Sequence, residues 1–516
     1  MNGDTLSVST GPLFPAHPAL DNLPSDTLSL ILGQFCLHCT KERDYESPDG
    51  HGTESEDEEF QSWHALAPNY CKPLLSMCLV SKRILPVAQG ILHHAFVLGC
   101  CKTYQESLAL FYRRLRPFLR TIMERPDLAA AVRRICIHGP LVGRVVASNE
   151  LPSIHELLSQ ELDRLRAGNP PLSRRAPDGR LVGGMTVRLL DCLTNLERLS
   201  LSLPNNVRYL TWRAETAPEG LFSQLKTLDM CRLPLTIRGT GGHTILEAAG
   251  TAENLQVLNL VRCFWDPDQL PTTRLENLRA LLVVDPSAMP VSARSLQALL
   301  DLCSSSKLQS FHYVAPPPEW FFQHQGVGWN NPDGPNRDDH HFSAAEAIRS
   351  LATHETTLQM LHLDFRRREG LVRWEPAVVA SQPIPRNLLR GFTSLTHLFL
   401  TARMVGYWQL REGWDRPGYS VPPSLETPPI LPDALVRLLP PNIITFHLAG
   451  CSDVAGEQLM AVLLGLADTI GTGAQFTSLR YLRCDAEPEQ LDQPALRGEF
   501  AAVGVDFVCK EFSWRQ

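Results

Sequence analysis

Residues 255–260, Leu255-Gln256-Val257-Leu258-Asn259-Leu260, carry the pattern that decides the fold. The last two leucines alternate along a short strand and face the same side of a sheet, while the first packs the turn that leads into the strand. The same apolar-x-x-apolar-x-apolar hexad recurs along the chain after about residue 130. The other copies begin at Val132, Leu196, Leu225, Leu278, Leu308, Leu358, Leu395, Ile443 and Leu479.

Helical segments separate the predicted strands. Residues 296–303 and 459–466 place apolar side chains at i, i+3, i+4 and i+7, the spacing of a helix with one buried face. Ser343 and Glu346 have the spacing of a capping box at a helix N-terminus. One strand–helix unit cannot bury its apolar side alone, whereas stacked units share a core. The sequence therefore predicts an α/β fold over residues 131–516, an irregular solenoid with parallel strands inside and helices outside.

This alternation of strands and helices resembles leucine-rich repeats. Cys263 and Cys451 each follow the start of a hexad by eight residues, as in a cysteine-containing subtype of these repeats. Successive hexads begin 23–30 residues apart between residues 196 and 308, and 36–50 residues apart afterwards. The later repeats are therefore expected to carry insertions, and a strand at Val505 and Phe507 is expected to close the array. We place the insertions at about residues 315–341, 366–390 and 402–432.

The N-terminal region carries a different pattern, which begins at Leu23-Pro24. Pro24 suits the first turn of a helix, where its missing N–H needs no partner, and Asn22 or Ser25 is expected to cap that helix. The apolar side chains that follow fall on one helical face. They are Leu28, Ile31 and Leu32.

A second apolar stretch lies some fifty residues later, at residues 74–83, and contains the run Leu79-Val80-Ser81-Lys82-Arg83. The two stretches together resemble an F-box over residues 18–99, a three-helix module that docks on a Skp-type adaptor of cullin–RING ubiquitin ligases. Asp26 stands where Glu is usual, no Trp follows Arg83, and an acidic insert at about residues 40–70 interrupts the match. The resemblance implies that the adaptor-binding residues are Leu23, Pro24, Leu28, Ile31, Leu75, Leu79 and Val80.

An F-box followed by irregular leucine-rich repeats is similar to the large family of fungal F-box proteins. The resemblance implies a substrate-recognition subunit of an SCF-type ligase, in which the F-box joins the adaptor and cullin and the repeats bind a protein target. The alternative is a non-catalytic scaffold whose solenoid binds a partner without ubiquitin transfer. The remaining parts are predicted as a disordered tail at residues 1–17, a disordered insert within the F-box and a helical linker at residues 100–130.

Composition excludes several classes of protein. A net charge of −7 gives no reason to expect binding to nucleic acid or to an anionic membrane. No apolar run approaches the ~20 residues that span a bilayer, and no signal peptide is evident. Fourteen cysteines without framework spacing indicate reduced thiols, so we expect an intracellular protein of the cytoplasm or nucleus.

Cys36-x-x-Cys39 has His38 between its cysteines, and further ligand-type residues that a zinc site could use follow at His64, Cys71 and Cys78. Structural zinc usually requires two close ligand pairs, and Phe35, Cys36 and Leu37 continue an apolar pattern. Small buried thiols are therefore the favoured interpretation, and no metal or cofactor is expected. Gly239–Gly242 lacks the context of a phosphate loop, and we find neither a nucleophile elbow nor a zinc-protease helix. The chain is expected to be a non-enzyme.

Target recognition is predicted on the late insertions, because functional residues concentrate on loops that a rigid scaffold holds. Aromatic and arginine side chains dominate binding hot spots, and prolines lower the cost of ordering a loop. The predicted partner-binding residues are Trp320, Trp408, Trp414, Arg366, Arg367 and Arg368. The alternatives left open are that the tryptophans fold back onto the solenoid and that the arginines form a solvated strand edge.

Overall fold

A computed structural model gives the architecture of the chain. It describes residues 23–36, 39, 72–98, 114–137, 186, 188–202, 212–213, 222–231, 235, 242–243, 245–250, 252–263, 265, 267–270, 274–284, 291–315, 342–365, 384–405, 432–451, 456–473, 475–486 and 491–509. The predicted disordered tail and acidic insert lie outside these residues.

One sheet of twelve parallel strands runs through the described part of the chain, and its strands pair in chain order. The strands are β1 (Ala95–Leu98), β2 (Arg134–Ile137), β3 (Arg198–Ser202), β5 (Thr227–Cys231), β7 (Val257–Val261), β8 (Ala280–Val284), β9 (Ser310–Val314), β10 (Met360–Asp364), β11 (His397–Thr401), β12 (Thr445–Ala449), β13 (Tyr481–Cys484) and β14 (Asp506–Cys509). A separate antiparallel ribbon pairs β4 (Trp212–Arg213) with β6 (Gly242–His243). The predicted α/β class and parallel arrangement are confirmed.

Each of the ten hexads places its last two apolar residues on one of these strands. In β7, Leu258 and Leu260 are buried, while Val257, Asn259 and Val261 are half-buried on the opposite face. The registers keep equivalent positions adjacent, so buried side chains of neighbouring repeats form continuous rows. The closing strand predicted at Val505 and Phe507 corresponds to β14, which contains Phe507 and begins one residue after Val505.

Helices pack on the buried face of the sheet, with which they share one large apolar core. Those after β1 are α4 (Arg116–Glu124), α5 (Pro126–Ala131), α6 (Ile245–Gly250), α7 (Ala293–Asp301), α8 (Ala344–Ser350), α9 (Ala434–Leu438), α10 (Gly456–Gly471) and α11 (Gln493–Ala502). The predicted capping box is confirmed at α8, because Ser343 Oγ accepts from the Glu346 N–H and the Glu346 carboxylate accepts from the Ser343 N–H. No helix among the described residues has the length and apolarity needed to cross a bilayer.

Neighbouring repeats are also joined by a recurring side-chain bond that the hexad pattern does not reveal. The residue just before a hexad donates to a backbone carbonyl two residues before the preceding hexad. For example, Asn254 Nδ2 lies 2.7 Å from the Ser223 carbonyl, and Asn277 Nδ2 lies 2.8 Å from the Glu253 carbonyl. The equivalent donors in other repeats are Asn195, Ser394 and Asn442. These bonds satisfy turn carbonyls that the sheet leaves unused.

Replacing Asn277 with Ala is expected to lower the free energy of unfolding by about 1 kcal/mol, the usual net contribution of one hydrogen bond. The Glu253 carbonyl would lose this donor, while the apolar core would stay intact. Urea unfolding measures the change. Glu276→Ala, at the exposed neighbouring position, is the matched control and should leave stability unchanged. Equal effects of the two substitutions would contradict the proposed contribution of the bond.

The N-terminal region forms a small helical module of α1 (Ser25–Gly33), α2 (72–78) and α3 (Ile84–Leu92). The capping prediction for α1 is wrong in detail. Pro24 occupies the N-cap position and Ser25 is the first helical residue, with no side-chain cap bond. The Pro24 carbonyl instead accepts the first helical bond from the Leu28 N–H at 3.0 Å.

The predicted boundaries of the N-terminal module also need correction. Residues 95–98 were expected inside the F-box, but they form β1 and pair with β2. Where it is described, the predicted helical linker at 100–130 consists largely of α4 and α5, and these helices bury Leu119, Ile122 and Leu128 in the large core. The sheet therefore begins directly after α3.

Candidate functional site

The helical module has its own apolar core, separate from that of the sheet. This core is formed by buried side chains of α1, α2 and α3. Arg83, in the turn just before α3, donates to the Leu23 carbonyl at 3.1 Å. Ser81 Oγ accepts from the Ile84 N–H at 3.1 Å, which fixes the start of α3. The buried members of this core are Leu28, Leu32, Cys36, Leu74, Ile84, Ala88 and Ile91.

The same module exposes an unusual amount of apolar side chain. Of the eight large apolar side chains that are exposed among the described residues, seven lie on this module and one, Tyr481, lies on β13. Leu79 is 88% exposed and Leu30 is 73% exposed. The seven are Leu30, Ile31, Phe35, Leu75, Leu79, Val80 and Leu85. Because soluble proteins rarely expose many apolar side chains together, such a set typically marks an interaction surface.

The structure separates the predicted adaptor-binding residues by exposure. Ile31, Leu75, Leu79, Val80 and Pro24 are exposed, and Leu23 is half-buried. The remaining residue requires a correction, because Leu28 is only 2% exposed and packs inside the module. Its side chain therefore belongs to the core of the module and is not available to a partner.

Three exposed members were missed by the sequence interpretation: Leu30, Phe35 and Leu85. The available signal was the register of α1. Leu28 and Leu32 are one helical turn apart and define the buried face, so Leu30 falls on the opposite side.

A thiol–imidazole cluster lies where the helical module meets the sheet. Cys36 follows α1, Cys39 comes three residues later, and His94 lies between α3 and β1. The Cys39 Sγ and His94 Nδ1 atoms are 3.5 Å apart, and the three ligand-type atoms all lie within 4.8 Å of one another. Cys36 is buried, as predicted. The contact between Cys39 and His94 spans 55 residues of sequence and was not foreseen.

The cluster changes the acidity of Cys36. A hydrogen bond from the Cys39 side chain lowers the pKa of the Cys36 thiol well below its usual value. Burial opposes this change, and the His94 side chain adds to it. The arrangement therefore favours the thiolate form of Cys36, which is both the nucleophilic and the metal-binding form of cysteine.

The face of the sheet opposite the helices carries a second row of side chains. At its central register, β9 to β12 place His312, His362, Phe399 and His447 side by side. The His362 and Phe399 rings stack with centroids 3.8 Å apart, and the His312 and His362 rings lie 5.2 Å apart. This aromatic row is half-buried, apart from the more deeply buried Phe399.

On the earlier strands the same register holds Ser200, Asp229 and Asn259, followed by Leu282 on β8, and Arg198 reaches this row from two residues before Ser200. Arg198 Nε lies 3.0 Å from Asp229 Oδ2, and Asn259 Nδ2 donates to Asp229 Oδ1 at 2.6 Å. Burial alone would raise the pKa of Asp229, but the Arg198 guanidinium and the Asn259 amide outweigh it and lower the pKa below its usual value. The open face therefore changes along the array from charged and amide side chains to imidazole and phenyl rings.

The predicted partner-binding residues Trp320, Trp408, Trp414 and 366–368 lie outside the described residues. Parts of two predicted insertions are described, and they are packed: Ile384 and Leu389 are buried, as are Ala402 and Met404. In these parts the chain completes the core.

Comparison with known proteins found no match, neither among protein-family models nor among curated proteins.

Proposed function

We propose that this chain is a substrate-recognition subunit of an SCF-type ubiquitin ligase. In this proposal the helical module docks on a Skp-type adaptor, which links it to a cullin, and the repeat array holds a protein target. The observation that carries the proposal is the concentration of exposed apolar side chains on the module, seven of them among its described residues. The F-box resemblance of Leu23-Pro24 and of residues 79–83 selects the partner.

Other exposed residues on the module support protein docking. Asp26, Gln34, Lys72 and Lys82 are exposed polar or charged residues on the same helices and turns. Protein interfaces typically combine an apolar centre with a polar, solvated rim. Aliphatic residues of the kind found at Leu75, Leu79 and Val80 gain about 1.5–3 kcal/mol each when they are fully buried.

We propose the open face of the sheet as the scaffold of the target site. On the early strands Arg198, Asp229 and Asn259 offer charged and amide groups, and the row from His312 to His447 on the later strands offers rings. Flat aromatic and guanidinium groups are the side chains that most often anchor protein partners. The tryptophans and arginines of the late insertions remain predicted contributors beside this face.

The second candidate function is a scaffold that uses the same surfaces without ubiquitin transfer. Both functions predict capture of a partner by the module, but only a ligase receptor recruits a cullin. We therefore expect a cullin to co-purify with the full chain together with the Skp-type adaptor. Quantitative mass spectrometry of affinity-purified complexes measures this recovery. Capture of the adaptor with no cullin above background would favour the scaffold, and capture of neither would contradict both assignments for the module.

A further inference from the structure

The thiol–imidazole cluster has dimensions that suit a metal ion. With Zn–S bonds of about 2.3 Å and Zn–N bonds of about 2.0–2.1 Å, tetrahedral zinc places a sulfur and a nitrogen ligand about 3.6 Å apart and two sulfurs about 3.8 Å apart. The Cys39 Sγ to His94 Nδ1 distance is 3.5 Å, and no pair of the three ligand atoms is more than 4.8 Å apart. An ion can therefore be bound with small side-chain movements.

The backbone of two of the three residues, Cys36 and His94, is held by hydrogen bonds that do not depend on an ion. The Cys36 N–H donates to the Gly33 carbonyl at 3.0 Å, and the His94 N–H donates to the Ile91 carbonyl at 3.1 Å. The His94 carbonyl accepts from the N–H groups of both Arg133 and Arg134 at 2.9 Å. The His94 backbone is thus hydrogen-bonded to the start of β2, and the Cys36 backbone to the end of α1. Ligands whose backbone is held in this way lose little conformational freedom when an ion binds.

Although the sequence alone favoured buried thiols without a metal, the addition of His94 changes the donor set, and we propose that Cys36, Cys39 and His94 bind one zinc ion. Two thiolates and an imidazole form a soft donor set that favours zinc over calcium or magnesium, which prefer oxygen ligands. Three protein ligands leave the fourth tetrahedral position to water. The ion would join the end of α1 to the connection between α3 and β1, and would thereby fix the helical module against the sheet. This role is independent of the identity of any docking partner.

The test uses the full chain, purified with a reductant and stripped with a chelator, and separate metal-free samples are titrated with zinc and with cobalt. We expect one metal per chain at this site and intense visible absorption from cobalt held tetrahedrally by thiolates. Cys36→Ser, Cys39→Ser and His94→Gln are each expected to weaken zinc binding by at least about 100-fold, because each removes a ligand. Zinc should also raise the melting temperature of the wild type more than that of these variants.

Matched controls separate this site from general effects of thiol or imidazole loss. His93→Gln removes the neighbouring imidazole, whose Nδ1 lies 2.8 Å from the Gln89 carbonyl, and Cys192→Ser removes a half-buried thiol next to the large core. Both should retain the affinity of the wild type. The proposal is overturned if the stripped wild type takes up no zinc or cobalt, or if the three ligand variants bind as tightly as the wild type.

Discussion

Replacing both Leu75 and Leu79 with Asp is expected to weaken capture of a Skp-type adaptor by more than about 100-fold, because each leucine contributes roughly 1.5–3 kcal/mol when buried in a complex. An unpaired carboxylate at the same interface adds a desolvation cost. Leu79 is 88% exposed in the free chain, so the substitution removes no core contact there. The measurement is the dissociation constant of the purified full chain for the adaptor.

The control for this prediction is Tyr481→Asp, which places the same carboxylate at an exposed apolar position on β13, away from the module. It should bind the adaptor as the wild type does. The circular dichroism and melting temperature of the double variant should change little, since exposed positions tolerate substitution. Undiminished adaptor binding by the folded double variant would contradict the proposed docking surface. Leu28→Asp serves as a contrast, because it should lose binding by unfolding the module.

Phe446→Ala is expected to lower the free energy of unfolding by about 3–5 kcal/mol, the usual cost of removing a buried phenyl ring. Phe446 is fully buried in β12, and its register partners Leu398 and Leu482 belong to the strands on either side. A cavity there would disrupt the rows on both sides at once, because each repeat is stabilised mainly by its neighbours. Denaturant unfolding monitored by far-ultraviolet circular dichroism measures the change.

Tyr481→Ala is the appropriate comparison, since Tyr481 lies on the adjacent strand and is 50% exposed. It should cost less than about 1 kcal/mol, because little apolar surface is lost from the interior. If the two substitutions were equally mild, Phe446 would not lie in a tightly packed core. If both were severe, the open face would contribute as much to stability as the buried face.

The repeating part of the fold was predictable because its signal is local and periodic. In each hexad the second and third apolar residues are two positions apart, and side chains two apart on a strand share a face whatever the rest of the chain does. Leu258 and Leu260 of β7 illustrate the outcome. The capping box at Ser343 was predictable for the same reason, since both of its bonds lie within four consecutive residues. The acceptors of the Asn254 and Asn277 amides lie in the preceding repeat, so the hexads alone did not indicate these bonds.

The helical module shows where periodicity alone was insufficient. Helical spacing groups Leu75 with Leu79, but it cannot tell whether that face is buried within the module or left for a partner. The packing of α2 against α1 and α3 buries Leu74 instead, and so leaves Leu75 and Leu79 exposed. β1 was missed for a related reason, because Ala95–Leu98 lacks the hexad and becomes a strand through its pairing with β2.

The sequence by itself therefore determined the class of fold, the positions of the repeated strands and the face that each turns inward, because these depend on contacts between near neighbours in the chain. Only the tertiary structure decided which apolar residues of the module remain exposed, and only it brought Cys36 and Cys39 to His94, 55 residues away from Cys39. Both outcomes depend on how separate elements pack in space. Such packing is governed by surface complementarity and by the burial of apolar area, and no local spacing in the sequence records it.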